Sequence, residues 1–343
     1  MVGVVGTALA AISRSRTAST WIKACAGAGI VAAVLAIAVS LFFSPSAFSV
    51  FQLGAYALFV HGVALLVGSA ALLWRTRRLA AAASVSLAVL VAAIGVDAFF
   101  IEPSWLEVSH YEFTSKKITQ PVRIVVLADL QTDQLGQYER QVFRLVLSET
   151  PDLVLLAGDY LQAGSRRYET LRPQVNEYLR DIGFTAPLGV FAVQGNIDGA
   201  GWAEVFADLP VTTVVRTQSF DVGEMRLTCL QERRSFSPKL RIHNDSLERF
   251  HIVLGHSPNF ALGEIEADLL VAGHTHGGQV RLPWLGPILN SSRLPRSQAA
   301  GLSTLPSGAK LVVSRGIGME RYTAPRLRFL CRPELVVIDL VPE

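Results

Sequence analysis

Cysteine is scarce in this chain: Cys25, Cys229 and Cys331 are all there is in 343 residues. No C-x-x-C pair occurs, so a cysteine zinc site is excluded. One disulfide stays open between Cys229 and Cys331, provided their Cα atoms come within about 7 Å. Their strand-like surroundings, MRLTCL and LRFLC, favour two buried free thiols. A strong charge of either sign is also missing. The net charge is only +3 and the Lys and Arg are scattered, which excludes nucleic acid as a partner. The chain is nonetheless 50% hydrophobic with a mean hydropathy of +0.37.

The apolar excess sits at the front, where charge is nearly absent. Three stretches, 24–43, 53–74 and 79–101, are each long enough to cross a hydrocarbon core of about 30 Å. Small residues such as Gly27, Gly29, Gly68 and Ser69 permit close helix packing. A buried hairpin of a soluble domain is the lesser alternative, and a signal peptide needs one span rather than three. His61 and Asp97 fall within the spans and read as packing and boundary features. Arg14, Arg16 and Lys23 precede the first stretch, and Arg75, Arg77 and Arg78 fill the second loop. The loop 44–52 carries no charge, and Glu102 and Glu107 follow the third stretch. The positive-inside rule then puts the remainder of the chain outside a bacterial-type cytoplasmic membrane. The expected division is a membrane anchor over 1–105 and a globular domain over 106–343.

Within the second part, five apolar runs each end in a residue able to hold a metal. Run 123–128 ends in Asp129-Leu130-Gln131, 153–157 in Gly158-Asp159, and 190–194 in Gly195-Asn196. Run 251–254 ends in Gly255-His256, and 268–272 in Gly273-His274-Thr275-His276. Asp and Asn after a strand are ordinary turn residues, and an isolated His-x-His is commonly a surface turn. Five such ends in order, with carboxylate, amide and imidazole donors, point to one crevice at the carboxyl ends of an α/β sheet. Periodicity predicts helices over 137–149 and 168–182. Strands are predicted over 110–118, 211–216, 225–230, 310–314 and 334–340. The stretch 283–308 reads as a long loop, which in such a domain is often functional.

The ordered set Asp129, Gly158-Asp159, Gly195-Asn196, Gly255-His256 and Gly273-His274-Thr275-His276 resembles the calcineurin-like metallophosphoesterases, over roughly residues 110–343. The tail, with Gly277-Gly278-Gln279, Val313-Ser314-Arg315-Gly316 and Arg332-Pro333-Glu334, resembles the membrane-anchored branch, some of whose members hydrolyse lipid-linked phosphoesters or UDP-diacylglucosamine. The expected fold class is α/β: the three-helix transmembrane bundle read from hydropathy, followed by the four-layer α/β/β/α sandwich that the resemblance implies. The resemblance also implies two divalent ions (Mn, Fe, Zn or Ni) about 3.5–4 Å apart, and attack by a bridging hydroxide on a phosphoester or phosphoanhydride. Asp159 would bridge the ions. Asp129 and His276 would hold the first, and Asn196, His256 and His274 the second.

Two positions depart from the family pattern. The family D-x-H is Asp129-Leu130-Gln131 here, so Gln131 ligates weakly, binds a metal-held water, or leaves the first ion loosely bound. The family G-N-H-D is Gly195-Asn196-Ile197-Asp198, so the histidine beside the leaving group is lost. His243 and Arg315 are candidate substitutes for the acid, and Arg315 is also the candidate phosphate binder. The expected partners are the lipid bilayer and a phosphorylated small-molecule or lipid substrate. The alternative is a membrane module on a degenerate phosphoesterase fold that binds metal or ligand without turnover.

Overall fold

The computed structural model describes residues 47–245 and 248–343. The expected span 24–43 lies outside these residues. Two helices within them are long and apolar enough to cross a membrane, α1 (Phe48–Leu73) and α2 (Arg78–Ser104). At 1.5 Å per residue, their 26 and 27 residues span about 39–40 Å. Leu79, Val89 and Val60 stand exposed on them, so no core among the described residues receives these side chains.

The chain divides into two compact units. The first holds the described residues to Phe99 together with Glu320–Arg326. Within it, a Cβ on Gly95 would press on the ring of Phe59, and Phe59 meets Phe99 edge-on at 5.7 Å. Segment 320–326 is fixed there too, since the Gln52 amide donates to the Tyr322 and Ala324 carbonyls at 3.2 and 3.1 Å.

The second unit, Phe100–Met319 with Leu327–Glu343, is built on two six-stranded sheets. The first sheet uses β1 (Glu107–Ser115), β2 (Val122–Leu127), β3 (Leu153–Leu156), β4 (Val190–Val193), β5 (Val211–Val214) and β12 (Glu334–Pro342). Its order is β1-β12-β2-β3-β4-β5, and β2 to β5 run parallel. The second sheet uses β6 (Gln218–Val222), β7 (Met225–Cys229), β8 (Phe250–Leu254), β9 (Leu269–Ala272), β10 (Gly301–Thr304) and β11 (Lys310–Val313). Its order is β10-β11-β9-β8-β7-β6, with β7, β8, β9 and β11 parallel.

The continuous apolar runs VRIVVL and LVLL suit parallel strands covered on both faces. Val125, Leu127, Val154 and Leu156 face one core, whereas Ile124, Val126, Leu153 and Leu155 face the second sheet. The first core is closed by α3 (Gln137–Ser148) and α4 (Ser165–Asp181). Glu139 caps α3 by accepting the Gly136 N–H at 2.8 Å, and Leu171, Val175, Tyr178 and Leu179 form the buried stripe of α4.

The fourth layer departs from expectation. The outer face of the second sheet is covered by the one-turn helix α5 (Glu232–Ser235), a 3-10 turn (Pro258–Leu262) and loops, not by a helical layer. Only 14 residues, 255–268, link β8 to β9, which leaves little room for a packed crossover helix. The stretch 283–308 is also more ordered than its composition predicts. It contains part of a hairpin pairing Arg281–Leu282 with Gly286–Pro287, a 3-10 turn (Arg296–Gln298) and all of β10.

Candidate metal centre

The five parallel strands that carry the motifs, β2, β3, β4, β8 and β9, bring their ends together, as the Asp129 N–H to Gly158 carbonyl and Gly273 N–H to His256 carbonyl bonds show. The turns there are tight enough to force unusual backbone. Asp129, Gln131, Asp159, His274 and His276 all have φ between 38° and 73°. Each such residue costs about 1–3 kcal/mol, and strain of this kind gathers at functional sites. Two glycines let the turns interlock. Gly158 has φ 92°, and a Cβ on Gly195 would overlap the Asp159 carboxylate and amide.

Asp159, His256 and His274 offer ligand atoms that all lie within 4.8 Å of one another. His256 Nε2 is 3.3 Å from Asp159 Oδ2 and 2.9 Å from Asn196 Oδ1. Its Nδ1 donates to the Ala157 carbonyl at 2.8 Å, which orients Nε2 toward the cluster. Burial alone would depress His256, but Asp159 and then Asp129 lift its pKa to about 10. Burial and His256 lower His274 to about 4, so that imidazole is neutral. The Asp129 carboxylate accepts the His274 N–H with both oxygens, at 3.0 and 2.9 Å, and burial raises it to about 8.

His276 provides the test of whether a metal fits. Both of its ring nitrogens are buried, with no hydrogen-bond partner among the described residues. Burial, then Arg328, lowers its pKa to about 3, so it cannot gain a partner by protonation. A buried neutral imidazole left so is costly unless an ion takes its lone pair. The donor set therefore fits a divalent cation. Gln131 faces the same carboxylate, its Nε2 donating to Asp159 Oδ2 at 3.2 Å.

Two expected helpers lie elsewhere. The Arg315 guanidinium is engaged by Glu107 at 3.0 Å and Glu334 at 3.1 Å. His243 is exposed, with Nδ1 3.3 Å from Glu266. Neither belongs to the cluster. Cys229 and Cys331 are buried free thiols, and Cys331 donates to the His276 carbonyl at 3.3 Å.

The sequence alone assigns no role to Asp198 or Arg328. The buried Asp198 carboxylate accepts the N–H groups of Asp159, Tyr160 and Gly195 at 2.7, 2.8 and 2.8 Å. It thereby ties the β3 and β4 turns together, and the signal was the final residue of Gly195-Asn196-Ile197-Asp198. Arg328 is fully buried and donates to the carbonyls of Arg315, Gly316 and Cys331 at 2.9, 3.0 and 2.9 Å. Gly318, whose carbonyl it also binds, donates its N–H to the Asp129 carbonyl at 2.7 Å. Nothing in the local sequence around Arg328 signals this.

Asp198→Asn tests the first of these ties. The amide cannot accept three N–H groups as a carboxylate does. Stability is expected to fall by about 2–3 kcal/mol, read from denaturant unfolding, and Mn²⁺ affinity by roughly 10–100-fold. Wild-type behaviour in both measurements would show that the turns hold their shape without it.

The profile of the family described as calcineurin-like phosphoesterase matches residues 122–278, which contain every one of the metal-capable strand ends. Residues 122–278 are a calcineurin-like phosphoesterase domain. It is similar over 265 residues, at 27% identity, to the "Uncharacterized metallophosphoesterase YkuE" of Bacillus subtilis, covering 70% of this chain and 87% of that protein. Phosphodiesterase YaeI of Escherichia coli is 26% identical over 71% of this chain and 91% of its own length. The UDP-2,3-diacylglucosamine pyrophosphatase LpxG of Chlamydia muridarum is 24% identical over 76% and 98%. The matched domain belongs to a family of metal-dependent phosphoester hydrolases, and divalent ions are the cofactor of that family.

Proposed function

We propose that this chain is a membrane-anchored phosphohydrolase that uses two divalent ions to cleave a phosphoanhydride or activated phosphodiester of a lipid or envelope precursor. The observation that carries the metal reading is the buried His276 ring beside a cluster of Asp159, His256 and His274. In this reading Asp159 serves both ions. Asp129 and His276 hold one, with Gln131 beside it, and Asn196, His256 and His274 hold the other. When bound, the ions supply Lewis-acid charge to the phosphoryl oxygens and acidify a water.

The chain's own residues do the positioning. The Ile197 N–H fixes Asp159 Oδ1 at 3.0 Å, and the Ala157 carbonyl fixes the tautomer of His256. Ile197 cannot protonate a leaving group. A substrate whose leaving group departs as a stable anion suits such a site, and a pyrophosphate bond has that property. The LpxG relatives are named for such a bond, which supports the lipid pyrophosphate reading. The apolar helices α1 and α2 support the anchor, and the arginines between them favour a phosphoesterase domain on the extracytoplasmic side.

The reading is tested on the full chain in detergent. Metal per chain is counted and a bis-nitrophenyl phosphodiester is assayed with Mn²⁺. Two ions with turnover are expected. Absence of bound metal would remove the site assignment, and metal without turnover would favour a binding module.

Ion uptake should also be proton-linked. At neutral pH the Asp129–Asp159–His256 group retains at least one proton, because His256 sits at about 10 beside Asp159 and burial raises Asp129 to about 8. An ion must displace that proton, so affinity rises with pH, by roughly tenfold per unit between about pH 7 and 8. Calorimetry in buffers of different ionisation enthalpy reads the released proton. A Kd independent of pH would contradict this protonation state.

A further inference from the structure

Immediately after the His276 turn, the chain forms a hairpin whose tip is Pro283-Trp284-Leu285. Residues 282–289 contain no charge. Arg281 pairs with Pro287 and Leu282 with Gly286, and Trp284 at the tip has φ 64°. Trp284 is fully exposed, and Leu282 and Leu285 are exposed beside it. An uncharged tip carrying Leu, Trp and Leu has no protein face to cover it within this unit, and such patches mark interaction sites.

The base of the hairpin is anchored on two sides. Toward the metal centre, Arg281 Nη1 donates to the Gly277 carbonyl at 3.2 Å. On the other side the Arg281 N–H donates to the Phe329 carbonyl at 2.9 Å, and Val280 bridges Phe329. The next residue, Leu330, is itself exposed and donates its N–H to Glu102 Oε2 at 2.8 Å. Cys331 N–H donates to the other oxygen of the same buried carboxylate. Glu102 lies in the last turn of the apolar helix α2. The residue that ends a candidate membrane span is thus joined, through two residues of backbone, to the hairpin that borders the metal-binding turn.

We propose that the hairpin at 281–287 seats Leu282, Trp284 and Leu285 in the interfacial layer of a lipid bilayer, and so presents the phosphate of a lipid-borne substrate to the His274–His276 turn. The proposal rests on the membrane-anchored reading above. Tryptophan is the residue whose apolar body and polar N–H suit that layer, and Arg281 at the hairpin base suits anionic headgroups.

The test uses the full chain in vesicles of phosphatidylglycerol and phosphatidylethanolamine with brominated acyl chains. The tryptophan emission that Trp284→Phe removes is expected to be quenched by the bromines, in addition to any quenching of Trp74 beside α1. If that emission is unquenched, the proposal is overturned. The variant Leu282→Ser/Trp284→Ser/Leu285→Ser should raise KM for a vesicle-borne lipid pyrophosphate by roughly tenfold, the scale of one buried apolar side chain. Its turnover of a soluble nitrophenyl phosphodiester should not change. Equal loss on both substrates, or on neither, would overturn the idea. A change of oligomeric state in that variant without quenching in the wild type would assign the surface to a second copy instead. Carbonate extraction separates the two readings. Release of the chain would overturn anchoring alone, and flotation of the released chain then judges the hairpin: wild type floating and the triple variant not supports it, whereas no flotation overturns it.

Discussion

His274→Ala is expected to abolish turnover while leaving the fold intact. The residue supplies one of three donors that lie within 4.8 Å of one another, and its neutral ring is free to ligate through Nδ1 because Nε2 is 3.2 Å from the Ser291 carbonyl. Phe236 packs edge-on against the ring at 4.8 Å, so alanine leaves a small gap at the rim rather than in the core. The loss in kcat/KM should exceed the roughly 10–100-fold that outer partners of a ligand cost, reaching at least about 10³-fold. One ion per chain should be lost or markedly weakened, while His276 retains its own. The backbone N–H of residue 274 still serves Asp129, so the unfolding midpoint should move little. Metal counting, kinetics and denaturant unfolding on one preparation decide the matter. Retained turnover with two bound ions would remove His274 from the ligand set.

The legibility of this molecule follows from what constrains each part. Candidate donors are readable because the chemistry restricts the residue type and the sheet restricts its place: Asp, Asn and His recur directly after apolar runs, four times beside a glycine. The helices α3 and α4 were readable because their buried residues recur with the helical period. Asp198 was visible as a letter in a motif, but its work depends on three N–H groups from two turns converging on one carboxylate, which no spacing reports. Arg328 was less visible still. Its partners are main-chain carbonyls, and carbonyls leave no trace in a sequence. Strand β10 was hidden because Gly301-Leu302-Ser303-Thr304 lies in a stretch rich in Pro, Ser and Gly, and it becomes a strand only by pairing antiparallel with β11. Arg315 shows the reverse error of emphasis. A strand-end arginine before a glycine looks like a phosphate clamp, yet here two carboxylates already claim it.

Ile197→His is expected to change which substrates the enzyme can cleave. Ile197 is half-buried, and it contributes its backbone N–H to Asp159 Oδ1, a bond that any residue at this position keeps. An imidazole placed there would add a proton donor where the present side chain has none. For an alkyl phosphodiester, whose alkoxide leaves poorly, kcat/KM should rise by about 10²-fold, near 2.7 kcal/mol of barrier. For a nitrophenyl diester, whose leaving group needs no proton, it should hardly move. The alkyl reaction alone should acquire a limb that falls as pH rises through the ordinary histidine range near 6.5, since the acid form must carry the proton. Adding Gln131→His tests the companion departure. At present Gln131 donates a hydrogen bond to Asp159, and a histidine would offer a lone pair, tightening the ion held by Asp129 and His276 without altering leaving-group dependence. Equal acceleration of both esters by Ile197→His, or no acceleration of either, would mean that another group already protonates the leaving oxygen, and the preference for phosphoanhydrides would lose its physical basis.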